Sequence, residues 1–178
     1  MTRPSDKSYL MPILDHLASY SEDDEMGKCL AKCGQSGDDN DDANDQYSWE
    51  RQVLDDAVTQ TDKDIKAAIC SYDDIRLRAS VPRGFRPNKT TLKRIIAALK
   101  GDVADLTESG INLMSGTRQF TPAKIDRGKA VYGADGQGGG CAIFKTKECL
   151  LVIVYKSNPA VATRLASEVA EYMEEHDH

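Results

Sequence analysis

The sequence contains few of the residues on which catalytic sites most often depend. It has only three histidines, His16, His176 and His178, and all of them lie near the two ends of the chain. A histidine base acts from a folded interior, so catalysis by histidine is not expected. The five cysteines are an odd number and predict no disulfide framework. The first residues resemble no secretory signal, which predicts reduced thiols and a cytoplasmic protein.

Long apolar runs and an excess of basic charge are also absent. No stretch approaches the roughly 20 apolar residues that a membrane-spanning helix needs. The net charge of -6 at pH 7 argues against a nucleic-acid-binding protein, because neutralising phosphates requires a basic surface. The charge is uneven: residues 1–46 hold 4 basic and 11 acidic side chains, and the remainder holds 19 and 18. We therefore expect an acidic arm attached to a nearly neutral domain.

Three patterns resemble ligand sites but are incomplete. Cys29 and Cys33 have no second pair of zinc ligands. The acidic residues of 39–50 have the spacing of a calcium loop, but Ala43 and Asn44 occupy a ligand position and the glycine position. The glycine-rich run 133–140 lacks the Lys-Ser/Thr of a phosphate loop and precedes a strand, which favours a hairpin connection. No metal, cofactor or enzymatic activity is expected. A nucleotide enzyme using the glycine loop is the alternative, and thermal protection by nucleotides would detect it.

The polarity of the chain changes near residue 47. Leu10, Ile13, Leu14 and Leu17 have helical spacing and predict a short amphipathic helix over about 9–19. The rest of 1–46 has too few apolar residues to offset the entropy of ordering it. We therefore predict a largely disordered, acidic N-terminal extension followed by a folded domain over residues 47–178.

The folded domain alternates between helical and strand periodicity. Helices are predicted from Ser48, over 89–100 and from Asn158, with one further helical turn over 102–108. Strands are predicted, in chain order, over 64–72, 75–80, 111–114, 118–125, 129–132, 141–145 and 149–155. Because strands and helices do not alternate as βαβ units, this order predicts an α+β fold with one antiparallel sheet.

Several segments together resemble the profilin family. Residues 139–155, GGCAIFKTKECLLVIVY, resemble the paired final strands of profilins, and 166–173, ASEVAEYM, resemble the closing helix. Ser48-Trp49 and the strand residues 67–69 resemble the beginning of the family's domain. The resemblance covers residues 47–178. It implies N- and C-terminal helices on one face of the sheet and a shorter helix on the other. The N-terminal extension is a departure from most profilins, and it suits an early-branching lineage such as the Asgard archaea.

The resemblance implies a monomeric, cytoplasmic protein that binds actin monomers and regulates actin polymerisation. The positions that match actin contacts of the family are Arg118, Lys145, Lys147, Thr163, Arg164 and Glu168. The i, i+4 spacing of Arg164 and Glu168 on the non-core side of the last helix agrees with such a role. From the residues alone, a solvated ion pair is the favoured interpretation of these two side chains.

The resemblance implies two further ligands. Proline-rich peptides would bind in an aromatic groove at Trp49, Gln52 and Tyr172, weakly or with an altered preference because Gln52 replaces a tyrosine usual in the family. Packing into the core is an equal alternative for Tyr172. Phosphoinositide head groups would bind to a set of basic residues: Arg83, Arg86, Lys93, Arg94, Lys145 and Lys147.

A second class of interaction protein has a similar small sheet with flanking helices. Longin- and roadblock-like domains dimerise and regulate small GTPases, and a fold alone does not determine function. A stable dimer without effect on actin polymerisation would favour this alternative. A monomer that changes polymerisation would favour the profilin interpretation.

Overall fold

The computed structural model describes residues 49–61, 64–114 and 118–175. Its elements, in chain order, are α1 (Trp49–Thr61), β1 (Lys66–Ser71), β2 (Leu77–Val81), α2 (Lys89–Leu99), α3 (Ala104–Ser109), β3 (Thr121–Asp126), β4 (Ala130–Ala134), β5 (Gly140–Lys145), β6 (Cys149–Tyr155) and α4 (Pro159–Glu175). None of the helices in these ranges is long and apolar enough to cross a membrane. The predicted extension, with its helix over about 9–19, lies outside the described residues.

The six strands form one antiparallel sheet in the order β2-β1-β6-β5-β4-β3. The predicted α+β class is therefore confirmed. Strand β6 lies inside the sheet between β1 and β5, and all seven of its residues are buried. This burial explains the continuous apolar run CLLVIVY, because a strand covered on both faces needs apolar side chains on both faces.

The sheet separates two hydrophobic clusters. Side chains of a strand point alternately to opposite faces, and β6 follows this rule. Leu151 and Ile153 pack with residues of α1 and α4, whereas Leu150 and Val152 pack with residues of α2 and α3. The predicted arrangement, with the first and last helices on one face and a shorter helix on the other, is confirmed. The helical turn predicted over 102–108 forms α3 and joins α2 on the second face.

Helix α2 illustrates how local sequence determines the boundaries of an element. The side chain of Asn88 accepts hydrogen bonds from the backbone N–H groups of Thr90 at 2.9 Å and Thr91 at 3.3 Å, which caps the helix. After the C-cap residue Lys100, Gly101 has a φ of +113°, which a glycine adopts without steric cost. The apolar side of the helix is buried against the sheet, as its periodicity predicts.

The strand predicted over 111–114 is wrong. Ile111 forms only an isolated bridge with Phe120, and β3 begins at Thr121. The Leu113 carbonyl, which would continue the ladder, has another partner, and so does the Asn112 carbonyl beside it. The Thr91 hydroxyl donates to the Asn112 carbonyl at 2.7 Å, and the Asn88 N–H donates to the Leu113 carbonyl at 3.0 Å. Contacts with the start of α2 therefore replace strand pairing in this segment.

Candidate functional site

The sheet face that carries α1 and α4 extends beyond these two helices. Helix α1 packs on β1 and β2, and α4 packs on β5 and β6 beside it. The β3–β4 hairpin continues the sheet past β5. A surface composed of α4 and the neighbouring hairpin is thus available on this side of the molecule. We call it the α4–hairpin surface.

Two aromatic side chains, on β4 and on the adjacent β5, lie on the same face of the sheet as α4. Tyr132 on β4 and Phe144 on β5 are half-buried and pack against the same core cluster as α4. Their ring centroids lie 5.7 Å apart in an edge-to-face arrangement. Burial raises the pKa of Tyr132. Partly exposed aromatic rings with polar neighbours are typical of protein interfaces.

Lys124 adds positive charge beside these rings. Its Nζ lies 5.6 Å from the centre of the Tyr132 ring and donates a hydrogen bond to Asp126 at 2.8 Å. The sequence analysis did not single out Lys124, Tyr132 or Phe144. The alternation of side chains along a strand predicts which face of the sheet each ring occupies. Only the register between β4 and β5 shows that the rings of Tyr132 and Phe144 are neighbours.

The exposed side of α4 carries the predicted Arg164 and Glu168. The Nε of Arg164 donates to a Glu168 carboxylate oxygen at 2.7 Å, and Thr163 beside them is partly buried. The guanidinium side chain is about half exposed, so the ion pair contributes little to stability. These side chains therefore remain accessible to a partner.

Lys145 and Lys147 lie where β5 turns into β6. The Nζ of Lys145 is 5.0 Å from the centre of the Tyr72 ring, and the Nζ of Lys100 is 5.8 Å from the same ring. Lys147 is exposed. An exposed cation–π contact is worth roughly 0.5–1 kcal/mol, which orients Lys145 without removing it from solvent.

Arg118 lies at the opposite end of the sheet, at the β4–β5 hairpin. Its Nη2 is 3.4 Å from a buried carboxylate oxygen of Asp135. The other carboxylate oxygen accepts the backbone N–H groups of Gln137 at 2.8 Å and Gly139 at 2.9 Å. These hydrogen bonds, Gln137 foremost, lower the pKa of Asp135. Arg118 thus has a partner, Asp135, within the β4–β5 hairpin. The six predicted actin-binding residues therefore lie at both ends of the sheet.

The predicted polyproline residues belong to α1 and α4, which contact each other on one face. Trp49 is the first residue of α1, and its side chain lies outside the described part of the structure. Gln52 is exposed on α1. Tyr172 on α4 is half-buried against the core cluster, and burial raises its pKa. The two interpretations of Tyr172, core packing and ligand contact, are compatible because part of the ring reaches the surface.

The predicted phosphoinositide set is not brought together. Arg83 and Arg86 line a cavity near the start of β1, and Lys93 and Arg94 belong to α2. The pairing of β1 with β6 and of β6 with β5 places Lys145 at the other end of the strands. One ligand therefore cannot contact all six residues at once.

The three cysteines in the described part of the chain are buried. Burial raises the pKa of Cys70 and of Cys141 to about 12, so neither forms a thiolate readily at neutral pH. Cys149 is also buried. Within the described ranges, no group of three or more potential metal-ligating side chains is found.

Comparison with known proteins identifies one family. The family model for profilin matches residues 47–178. The solved structure of Acanthamoeba castellanii profilin IA is similar, with a TM-score of 0.62 at 22% sequence identity, covering 74% of this chain and 100% of that protein. Schizosaccharomyces pombe profilin gives a TM-score of 0.61 at 24% identity, with the same coverage of 74% and 100%.

A third similar structure contains a ligand. Mouse profilin IIa in complex with a double repeat from the FH1 domain of mDia1 has a TM-score of 0.54 and 16% identity, again covering 74% of this chain and 100% of that one. Comparison with curated protein sequences gives no significant match.

Proposed function

This chain belongs to the profilin family, and we propose that it binds actin monomers and thereby regulates actin polymerisation. Family and fold together indicate an actin-binding regulator rather than an enzyme. The observation that carries the proposal at the level of residues is the α4–hairpin surface, where the Tyr132–Phe144 pair lies on the same face as α4. Arg164 and Glu168 on α4 supply the charged part of this surface. Lys145 lies on the other face of the sheet, because its Nζ contacts the Tyr72 ring of the cluster of α2 and α3.

The physical argument rests on how binding energy is distributed over an interface. Aromatic and arginine side chains at the centre of an interface contribute most, and charges at the rim mainly set orientation and the rate of association. The Tyr132–Phe144 pair has the properties of such a centre, and Lys124 those of a rim charge. Arg118 is a weaker candidate, because its guanidinium already faces Asp135.

The experiment is a titration of the purified full-length protein into an actin polymerisation assay. We expect the wild type to slow polymerisation by sequestering monomers. We expect the variant Arg164→Ala to lower the affinity at least about tenfold, since interface hot spots contribute about 2 kcal/mol or more. The variant Lys93→Ala removes an exposed charge from α2 on the opposite face and should leave the affinity unchanged. A wild type without effect on polymerisation would contradict the proposal.

We also propose weak binding of proline-rich peptides between α1 and α4. The similar structure of mouse profilin IIa was solved in complex with a double repeat from the FH1 domain of mDia1, which supports peptide binding as a function of this chain. In this chain, α1 begins with Trp49 and α4 carries Tyr172, whereas Gln52 offers no ring for proline to stack on. Weak affinity follows from the missing aromatic surface.

The chain contains a single tryptophan, so its fluorescence reports directly on Trp49. Titration with a decaproline peptide should change this fluorescence with low affinity. The variant Gln52→Tyr should raise the affinity about fivefold, because one added aromatic contact is worth roughly 1 kcal/mol. Gln52→Leu, which adds apolar area without a ring, is the control and should gain less. Equal gains in the two variants would contradict an aromatic groove.

A further inference from the structure

The two helices that border the proposed groove for proline-rich peptides, which we call the peptide groove, are acidic. Helix α1 has three carboxylates and one guanidinium group, and α4 has four carboxylates and one guanidinium group. Residues 47–178 as a whole are nearly neutral, with 19 basic and 18 acidic side chains. Helix α2, on the opposite face of the sheet, has three basic side chains and no acidic one. Negative charge is therefore concentrated on the face that would receive a peptide.

The start of α1 lies beside the turn between β5 and β6. The Nη1 of Arg78 on β2 is 3.9 Å from a carboxylate oxygen of Glu50, and its Nη2 is 3.8 Å from one of Glu148. Two carboxylates thus share one guanidinium group, which leaves a net negative charge at this end of α1. The side chain of Glu148 is 59% exposed, so this charge reaches the surface.

The last turns of α4 lie at the same end of the sheet. Only three residues join β6 to α4, and α4 packs on β5 and β6. Helix α4 therefore begins where β6 ends and runs back along it. Its 17 residues extend about 25 Å, close to the length of about 23 Å for the seven residues of β6. Met173 near the end of α4 accordingly packs in the same cluster as Cys149, the first residue of β6.

Carboxylates lie on the side of α4 that carries Tyr172. Glu168 precedes Tyr172 by four residues and Glu175 follows it by three, spacings that place side chains on one side of a helix. Glu168 is paired with Arg164. Glu175 and Glu171 are exposed, and neither has an ion-pair partner within the described ranges. A ligand that contacts Tyr172 therefore meets negative charge that no cation neutralises.

We propose that the peptide groove prefers proline-rich segments flanked by lysine or arginine. This inference rests on the proposed binding of proline-rich peptides and specifies which of them bind best. The prolines would lie between α1 and α4, and the flanking cations would face the carboxylates at the ends of these helices. Charges at the rim of an interface steer association and select the partner. Because Gln52 leaves the groove with less aromatic surface, this contribution forms a larger share of the affinity.

The test compares three decaproline peptides with acetylated and amidated ends. They differ only in the two residues on each side of the prolines, which are lysine, serine or glutamate. Binding to the full-length protein is measured by Trp49 fluorescence and by calorimetry. At about 0.05 M salt, the lysine peptide should bind about tenfold more tightly than the serine peptide, and the glutamate peptide more weakly than both. At about 0.5 M salt, where the Debye length is about 4 Å, the lysine advantage should fall to within about twofold.

A double variant of α4 locates the preference. Glu171→Gln/Glu175→Gln removes the two exposed carboxylates closest in sequence to Tyr172. The readout is the ratio of the lysine-peptide affinity to the serine-peptide affinity, because structural damage to the groove lowers both affinities together. This ratio should fall about threefold or more. The matched control is Asp105→Asn/Glu108→Gln, which changes the net charge equally at exposed positions of α3 on the opposite face. Its ratio should equal that of the wild type.

The outcomes separate this inference from the proposal on which it rests. Equal affinity for the three peptides overturns the charge preference and leaves the binding of proline-rich peptides intact. Absence of binding to any peptide refutes the binding of proline-rich peptides, and the preference with it. An equal fall of the ratio in the α3 variant overturns the inference, because net charge would then explain the effect. A lysine preference that the α4 variant retains in full overturns it as well.

Discussion

At the scale of single residues, Asp135 stabilises the turn between β4 and β5. It accepts two backbone N–H groups across the β4–β5 turn and faces Arg118. Gly139 within the same turn has no room for a side chain, because an added Cβ would lie 2.5 Å from the Asp135 carboxylate and 2.9 Å from the Tyr155 carbonyl oxygen. The glycine-rich run is thus a closed hairpin held by a carboxylate.

Asp135 should make stability depend on pH. Its pKa is lowered in the folded protein, so folding favours the charged carboxylate. This contribution is fully present above the pKa of the unfolded chain, about 4, and is lost as pH falls through the lower folded pKa. Urea unfolding should find Asp135→Asn less stable than the wild type at pH 7, with a difference that shrinks below about pH 4. A difference that is constant from neutral to acidic pH would contradict the assignment.

The sequence could not identify this role for Asp135. The glycines around it predict a hairpin, and the hairpin joining β4 to β5 is present. The partnership with Arg118 depends on how a separate segment approaches the turn, which no local pattern contains. For that reason the sequence assigns Arg118 to partner binding alone.

At the scale of elements, α2 offers a direct test of a local interaction. Replacing Asn88 by Ala removes the acceptor for the N–H groups of Thr90 and Thr91, and should cost about 1 kcal/mol of unfolding free energy. Asn88→Ser retains a capping oxygen and should lose much less. Denaturant unfolding measured for both variants checks this expectation. Equal stability of the Ala and Ser variants would show that capping by this side chain is unimportant.

Elements with strong local signals were predicted well, and those decided by tertiary contacts were not. The apolar run of β6 and the apolar stripe of α4 identify both elements, because burial of each requires that pattern. Residues 111–114 are apolar enough for a strand, yet Asn112 and Leu113 bond to the start of α2 instead. Competition among distant backbone partners is not visible in a single sequence.

At the scale of the whole molecule, the two core clusters predict an independent domain. The profilin family model matches residues 47–178, and in the described part of the chain both clusters consist of residues between Val53 and Met173. We therefore predict that residues 47–178 fold without the preceding segment. Their thermal midpoint should lie within about 4 °C of that of the full chain, a shift that corresponds to less than about 1 kcal/mol. Circular dichroism measures both; loss of the cooperative transition on deletion of residues 1–46 would refute the proposed boundary.

The fold was more predictable than the surfaces that would bind ligands. Fold class follows from the order of elements, and the same order supports the resemblance to profilins over residues 47–178. A binding surface requires side chains from separate elements to be adjacent. The phosphoinositide set fails this requirement because Arg83 and Lys145 lie at opposite ends of the strands. The Tyr132–Phe144 pair meets it, and only the strand register reveals it.

The pairing of β1 with β6 has a consequence for biosynthesis. Ala67 lies opposite Ile153 in the sheet, so the second neighbour of β1 leaves the ribosome 86 residues after it. At about 5–20 residues per second, the β1–β2 pair waits several seconds for that neighbour. During this time the unpaired edge of β1 and its apolar side chains are open to other chains. A nascent chain stalled before Cys149 should therefore recruit chaperones, and one in which residues 149–175 have all left the ribosome should release them.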